Sequence, residues 1–175
     1  MDDLRYPVGK FEAPASLTEG DRKALIQQIA ETPARLREAV AGLSEGQLET
    51  PYRPDGWTVR QVAHHIPDSH MNAYTRFRLA LTEDEPTIRP YMEDRWARLP
   101  DSRVAPVELS LNLMDALHER FVLVLRNIAP GEWARKFTNP ETGLYTLDKA
   151  LAMYAWHGRH HVGHITSLRK RMGWN

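Results

Sequence analysis

Four of the eight histidines in this 175-residue chain fall within Trp156-His157-Gly158-Arg159-His160-His161-Val162-Gly163-His164. His157 and His161 are four residues apart, and so are His160 and His164. On an α-helix, residues at that spacing lie one above the other on the same face. Two imidazoles so placed can share one metal ion, which is why His-x-x-x-His is a metal-site pattern. With a third imidazole from elsewhere, a zinc ion would keep one coordination position open, as catalytic sites do. Water there would have its pKa lowered to roughly 7, which suits hydrolysis. An external thiol bound there would be held as thiolate, which suits transfer to an electrophile. A bundle that binds a metal without turnover is the third reading. The chain contains no cysteine, so disulfides, Cys-ligated zinc and a cysteine nucleophile of its own are excluded.

These histidines need a helix beneath them and a partner element opposite. Thr146 is a candidate cap for a last helix running to about Met172, with Gly173 as its stop. Thr18 and Asp21 mark the start of a first helix with Leu25, Ile29, Leu36 and Val40 on one face, and Pro33 is expected to kink or split it. Thr58 and Gln61 form a capping box for a second helix carrying Val59, Val62, Ile66, Ala73, Phe77 and Ala80. Pro67 lies in its middle and should bend it. Pro106 suits the start of a third helix, with Leu109, Leu113, Ala116, Leu117, Phe121, Val124 and Ile128 as its apolar stripe. Residues 1–17 read as an extended arm laid over the body. Residues 82–105 read as a long connection with a helical turn near Tyr91–Leu99, serving as a crossover, a lid or a partner surface. Residues 137–145 suit a small hairpin. The expected architecture is all-α: a single-domain four-helix bundle over residues 1–175 with a long crossover connection.

Helical geometry distinguishes the two histidine pairs. At about 100° per residue, the face set by Leu147, Ala150, Tyr154, Ile165, Leu168 and Met172 has His161 near its centre and His157 at its flank. His160 and His164 are expected at the rim or in solvent. Gly158 faces inward, leaving room for a ligand or a close neighbour. On the second helix His64 points nearly opposite the apolar face and His65 sits at its flank. His70 lies on the apolar side, so periodicity favours His65 over His64 and leaves His70 open. Asp68 and Asp148 are expected on the surface. Trp57 and Trp156 are expected as packing residues, and Arg60, Asn72 and Arg76 near a pocket edge, in solvated or salt-bridged roles.

The 23 basic and 23 acidic residues balance, so no overall field favours nucleic acid or an anionic membrane. No apolar run approaches the roughly 20 residues needed to span a bilayer. Residues 1–7 lack the basic start and apolar run of a signal peptide, so a cytoplasmic location is expected.

Several stretches resemble a known family. Gly56-Trp57-Thr58-Val59-Arg60-Gln61-Val62-Ala63-His64-His65-Ile66 followed by Asp68-Ser69-His70-Met71 resembles the DinB superfamily of metal-binding four-helix bundles. The closer likeness is to its YfiT branch, regarded as metal-dependent hydrolases and related to the bacillithiol S-transferases. It extends to Tyr6-Pro7-Val8-Gly9, Thr50-Pro51-Tyr52-Arg53, Leu79-Ala80-Leu81-Thr82-Glu83, Thr87-Ile88-Arg89-Pro90-Tyr91 and the tail from Tyr154 to Trp174. The family's helix-two ligand is the histidine directly before Leu or Ile, here His65, and its last-helix pair matches His157 and His161. The resemblance thus implies His65, His157 and His161 as ligands of a divalent ion, zinc or nickel. It also implies a cytoplasmic homodimer acting on a small molecule, with a low-molecular-weight thiol as a possible co-substrate.

Overall fold

The computed structural model describes residues 4–174; Met1–Asp3 and Asn175, and with them the first three residues of the expected arm, lie outside. Four long helices dominate: α1 (Glu19–Val40), α3 (Val59–Thr82), α6 (Val107–Arg126) and α7 (Leu147–Met172). Three short ones, α2 (Glu45–Leu48), α4 (Glu93–Trp96) and α5 (Pro100–Val104), lie in the connections. The hairpin of β1 (Lys136–Asn139) and β2 (Gly143–Thr146) precedes α7, with Phe137 opposite Tyr145. Local chemistry sets these boundaries. Thr18, Ser44 and Thr58 each accept a hydrogen bond from the third helical N–H, and the side chain of that residue bonds back to the cap. Thr146 caps α7, and Gly173 ends it at φ +66°. Despite Pro33, α1 is one continuous helix.

The long helices form a ring in the order α1, α6, α3, α7, each packed against the next, with α7 closing onto α1. Helices consecutive in sequence, α1 and α3, therefore lie across a diagonal. α7 approaches α1 closely at Gly158: a Cβ there would fall 2.8 Å from Thr32 Oγ1 and 2.9 Å from its Cγ2. The inward glycine thus admits a neighbouring helix.

Two apolar cores lie at opposite ends of the ring. One gathers Ile29, Ala73, Phe77, Phe121, Leu125, Leu147, Leu151 and Tyr154. The other gathers Leu36, Val59, Val62, Ile66, Leu111, Met114, Ile165 and Leu168. Every long helix contributes to both. Between its two contributions come Thr32 on α1, His70 on α3, His118 on α6 and residues 157–164 on α7. The bundle therefore has a polar waist.

The expected stripe on α6 needs correction. Leu109 and Leu113 are exposed; the buried face runs through Leu111, Met114, His118, Phe121 and Leu125. Selecting the most apolar stripe passed over the buried one because the latter carries Ser110 and His118. Residues 83–106 connect α3 to α6. Their strand-like part joins the hairpin through Ile88 N–H to the Thr138 carbonyl (2.9 Å) and Thr138 N–H to the Pro86 carbonyl (2.9 Å). Among the described residues, no helix is long and apolar enough to cross a membrane.

Candidate metal centre

At the waist α3 supplies His65, about two turns in from its Thr58 cap, and α7 supplies His157 and His161. One ring nitrogen of each lies within 4.8 Å of the others. The Nε2 atoms of His65 and His157 are 3.2 Å apart. A tetrahedral ion with metal–nitrogen distances of about 2.0–2.1 Å requires ligand nitrogens about 3.3–3.4 Å apart. The observed separation therefore suits two ligands of a common ion with little ring movement. Burial pushes the His65 pKa down to about 3, with His160 and His164 adding to the effect. Burial likewise holds His157 and His161 well below the ordinary imidazole range, and the neighbouring histidines reinforce it. All three stay neutral at pH 7, the form that ligates a metal. The donor set is three neutral imidazoles, which suits a divalent transition-metal ion better than hard oxygen-seeking ions.

The rings face a cavity of about 850 Å³, also lined by Tyr52, Trp57, Arg76, Tyr91 and Tyr154. Trp57 packs edge-on to His65 at 4.7 Å between centroids, and its indole N–H donates to Asp94 Oδ1 (3.1 Å). The connection before α6 thus forms one wall. Arg76 also lines the cavity and donates to the Tyr154 hydroxyl (2.7 Å). Arg60 lies elsewhere: it is 4% exposed and pairs with Glu45 and Glu49. Asn72 bonds to the Asp68 carbonyl. Asp148 holds Arg22 through both carboxylate oxygens, at 2.7 and 2.8 Å, and orients no imidazole. Asp68 is half-buried, contrary to its expected surface position, and loss of hydration raises its pKa to about 6.

His160 and His164 are not at the rim. They are 7% and 2% exposed, because the N-terminal arm covers that side of α7. The His164 Nε2–H donates to the Arg5 carbonyl (3.1 Å), and the Trp156 indole donates to the Gly9 carbonyl (3.1 Å). A Cβ on Gly163 would sit 3.1 Å from Val8. Trp156 stacks on His160, and Tyr52 stacks on His164. Helical-face geometry placed this pair outside because it counted the other bundle helices as packing partners and not the irregular arm. His160, His161 and His164 also have nitrogens within 4.8 Å of one another. They share His161 with the first group, so the two groups form one continuous imidazole wall. A second ion there would add charge beside the first with no carboxylate in either group to offset it.

His64 is also buried, yet apart from the cluster: its Nδ1 lies 2.7 Å from Ser110 Oγ and its Nε2 3.1 Å from the Ala105 carbonyl. The α5–α6 side covers the face expected to be open. His70, the rival third ligand, is fully buried and lies behind His157, with its Nε2 3.3 Å from His157 Nδ1. His118 sits behind His70. Sequence reading did not single it out, although it lies four residues after Met114 and three before Phe121, in phase with both.

A protein of Bacillus mycoides (strain KBAB4) named "Putative metal-dependent hydrolase" is 51% identical, covering 99% of this chain and 100% of the relative. One of Bacillus cereus (strain B4264) with the same designation is 52% identical at the same coverage. YfiT from Bacillus subtilis, described as a probable metal-dependent hydrolase with an unusual four-helix bundle topology, superimposes with a TM-score of 0.97 at 46% identity over 99% of both chains. The family model described as DinB superfamily matches residues 28–165, a span that takes in His65, His157 and His161, all of α3 and α6 and most of α1 and α7. This chain belongs to the DinB superfamily.

Proposed function

We propose that the protein is a metal-dependent hydrolase in which His65, His157 and His161 hold one divalent ion, zinc first and nickel second. The observation that carries this reading is the convergence of three neutral imidazoles, two with Nε2 atoms 3.2 Å apart, on the wall of an open cavity. The names carried by relatives at 51–52% identity support it. An ion held there would supply a Lewis acid able to lower the pKa of a bound water to about 7. The chain's own residues shape what reaches that position. Trp57 shields one side of His65, and Arg76, fixed by Tyr154, presents a cation to the cavity.

A second reading is metal-dependent transfer of a low-molecular-weight thiol to an electrophile: the absence of cysteine fits it as well as it fits hydrolysis, and a cavity of about 850 Å³ leaves room for a thiol beside a second substrate. Incubating metal-loaded protein with an electrophile, with and without such a thiol, separates the two. Consumption by water alone supports hydrolysis; strictly thiol-dependent consumption replaces it with transfer; neither leaves metal binding without turnover. We further propose a cytoplasmic homodimer. Leu109, Leu113 and Leu123 on the outer side of α6 offer an apolar surface for a second copy. A monomer mass by light scattering would count against that assembly.

A further inference from the structure

Behind the candidate ligands runs a chain of imidazoles that ends on a backbone carbonyl. His157 Nδ1 lies 3.3 Å from His70 Nε2, His70 Nδ1 lies 2.8 Å from His118 Nε2, and His118 Nδ1 lies 2.7 Å from the Ile29 carbonyl oxygen. That carbonyl is available for a covalent reason. In α1 its helical partner would be the N–H of residue 33, which is Pro33 and has none. A carbonyl oxygen only accepts, so one end of the chain has a fixed direction. His118 must carry its proton on Nδ1, which leaves Nε2 as an acceptor when the ring is neutral. His70 must then donate from Nδ1 and accept at Nε2, and His157 must donate from Nδ1. His157 is left with a bare lone pair on Nε2, the atom that faces His65. Burial lowers the pKa of all three rings, which keeps them neutral.

We propose that His70 and His118, anchored on the Ile29 carbonyl that Pro33 leaves free, are positioning residues that set the tautomer and orientation of His157 so that its Nε2 lone pair is presented to a metal ion. The inference rests on reading His157 as a ligand, but its first test needs no metal. Nitrogen-15 NMR of the histidine rings in metal-free protein is expected to show His157 and His70 protonated on Nδ1. A His157 protonated on Nε2 would overturn the proposal, whatever the metal affinity proves to be. In His118→Leu, His70 loses its acceptor and can instead donate from Nε2 toward His157. The His157 proton is then expected to move to Nε2, and zinc affinity, measured by competition with a chromophoric chelator, to fall about 10–100-fold. His118→Gln, which can both donate to Ile29 and accept from His70, is expected to recover most of that loss. Unchanged affinity in His118→Leu, or no recovery in the glutamine variant at equal helix content, would show packing alone at this position. Should the leucine variant fail to fold, the NMR result on the unaltered chain still decides. Zinc titration of His157→Ala tests the ligand reading separately: a site that retains zinc there defeats the ligand assignment while leaving the tautomer measurement intact.

Discussion

The polar waist has two sides, and they are built by different means. On the α1–α6 side, His157, His70 and His118 have a partner for every ring nitrogen, and the sequence of donors and acceptors dictates where each proton sits. On the arm side, His160, His161 and His164 each keep an Nδ1 without a protein partner, although His160 and His164 are more deeply buried than His161. His160 is held by stacking on Trp156 with centroids 4.3 Å apart, whereas His164 stacks on Tyr52 at 3.9 Å and also donates its Nε2–H to the Arg5 carbonyl. Stacking fixes the plane of a ring and leaves its nitrogens uncommitted, whereas a hydrogen-bond chain fixes the proton as well. Burial alone therefore does not single out the candidate ligands, since His160 and His164 are buried outside the proposed triad. What sets His157 apart from its neighbours is a partner at each ring nitrogen.

The strongest test of this contrast is loss of metal. His157→Ala and His161→Ala are expected to lower the metal content of purified protein sharply, by elemental analysis, while His160→Ala retains it. Equal retention in all three would remove the distinction between the proposed ligands and their neighbour His160. A backbone probe follows. Gly158→Ala drives a methyl into Thr32 at 2.8–2.9 Å, between two packed helices, and is expected to cost about 1–3 kcal/mol in denaturant unfolding. Gly163→Ala meets Val8 and Pro7 of the arm at 3.1–3.2 Å and is expected to cost less, because an irregular arm can shift where a helix cannot.

Acid should reveal the waist as a whole. His65 titrates at about 3 in the folded chain, and His118, His160 and His164 at about 4, against about 6.5 when unfolded. Between these values the unfolded state binds more protons. The stabilisation is therefore complete above pH 6.5 and is lost as pH falls toward 4 and 3. Urea midpoints of metal-free protein at pH 7.5, 6 and 5 should decline in that order; a flat profile would contradict neutral buried imidazoles. The smallest effect has the opposite sign. Asp68, raised to about 6, is better tolerated protonated, so its unfavourable contribution grows as pH rises from about 4 through 6. Asp68→Asn should raise the midpoint modestly at pH 7.5 and leave it unchanged at pH 4.

The bundle was largely legible in the sequence because its boundaries are written in local chemistry. Thr18, Thr58 and Thr146 cap where the threonine spacing places them, and Gly173 stops α7 in the left-handed region. The inward placement of His157 and His161 was legible too, because α7 is amphipathic enough to reveal its inner face, whereas on α3 periodicity left His65 and His70 both open and only the family resemblance singled out His65. Two things were not. The cover over His160 and His164 comes from the arm around Arg5–Gly9, which has no period to read. His118 escaped because hydrophobicity favoured a stripe through Leu109 and Leu113, both on the solvent side. A polar residue in phase with Met114, Phe121 and Leu125 was the available signal.

Pro33 bears on how this protein could be engineered. A proline inside a long helix is an obvious target for stabilisation, since it disfavours the helix by about 3 kcal/mol relative to alanine. Pro33→Ala would return an N–H to α1, and that N–H would compete with His118 for the Ile29 carbonyl. A screen scored on melting temperature alone could thus select a sturdier bundle whose His157 tautomer is less firmly set, through a substitution on a helix that contributes none of the three candidate ligands.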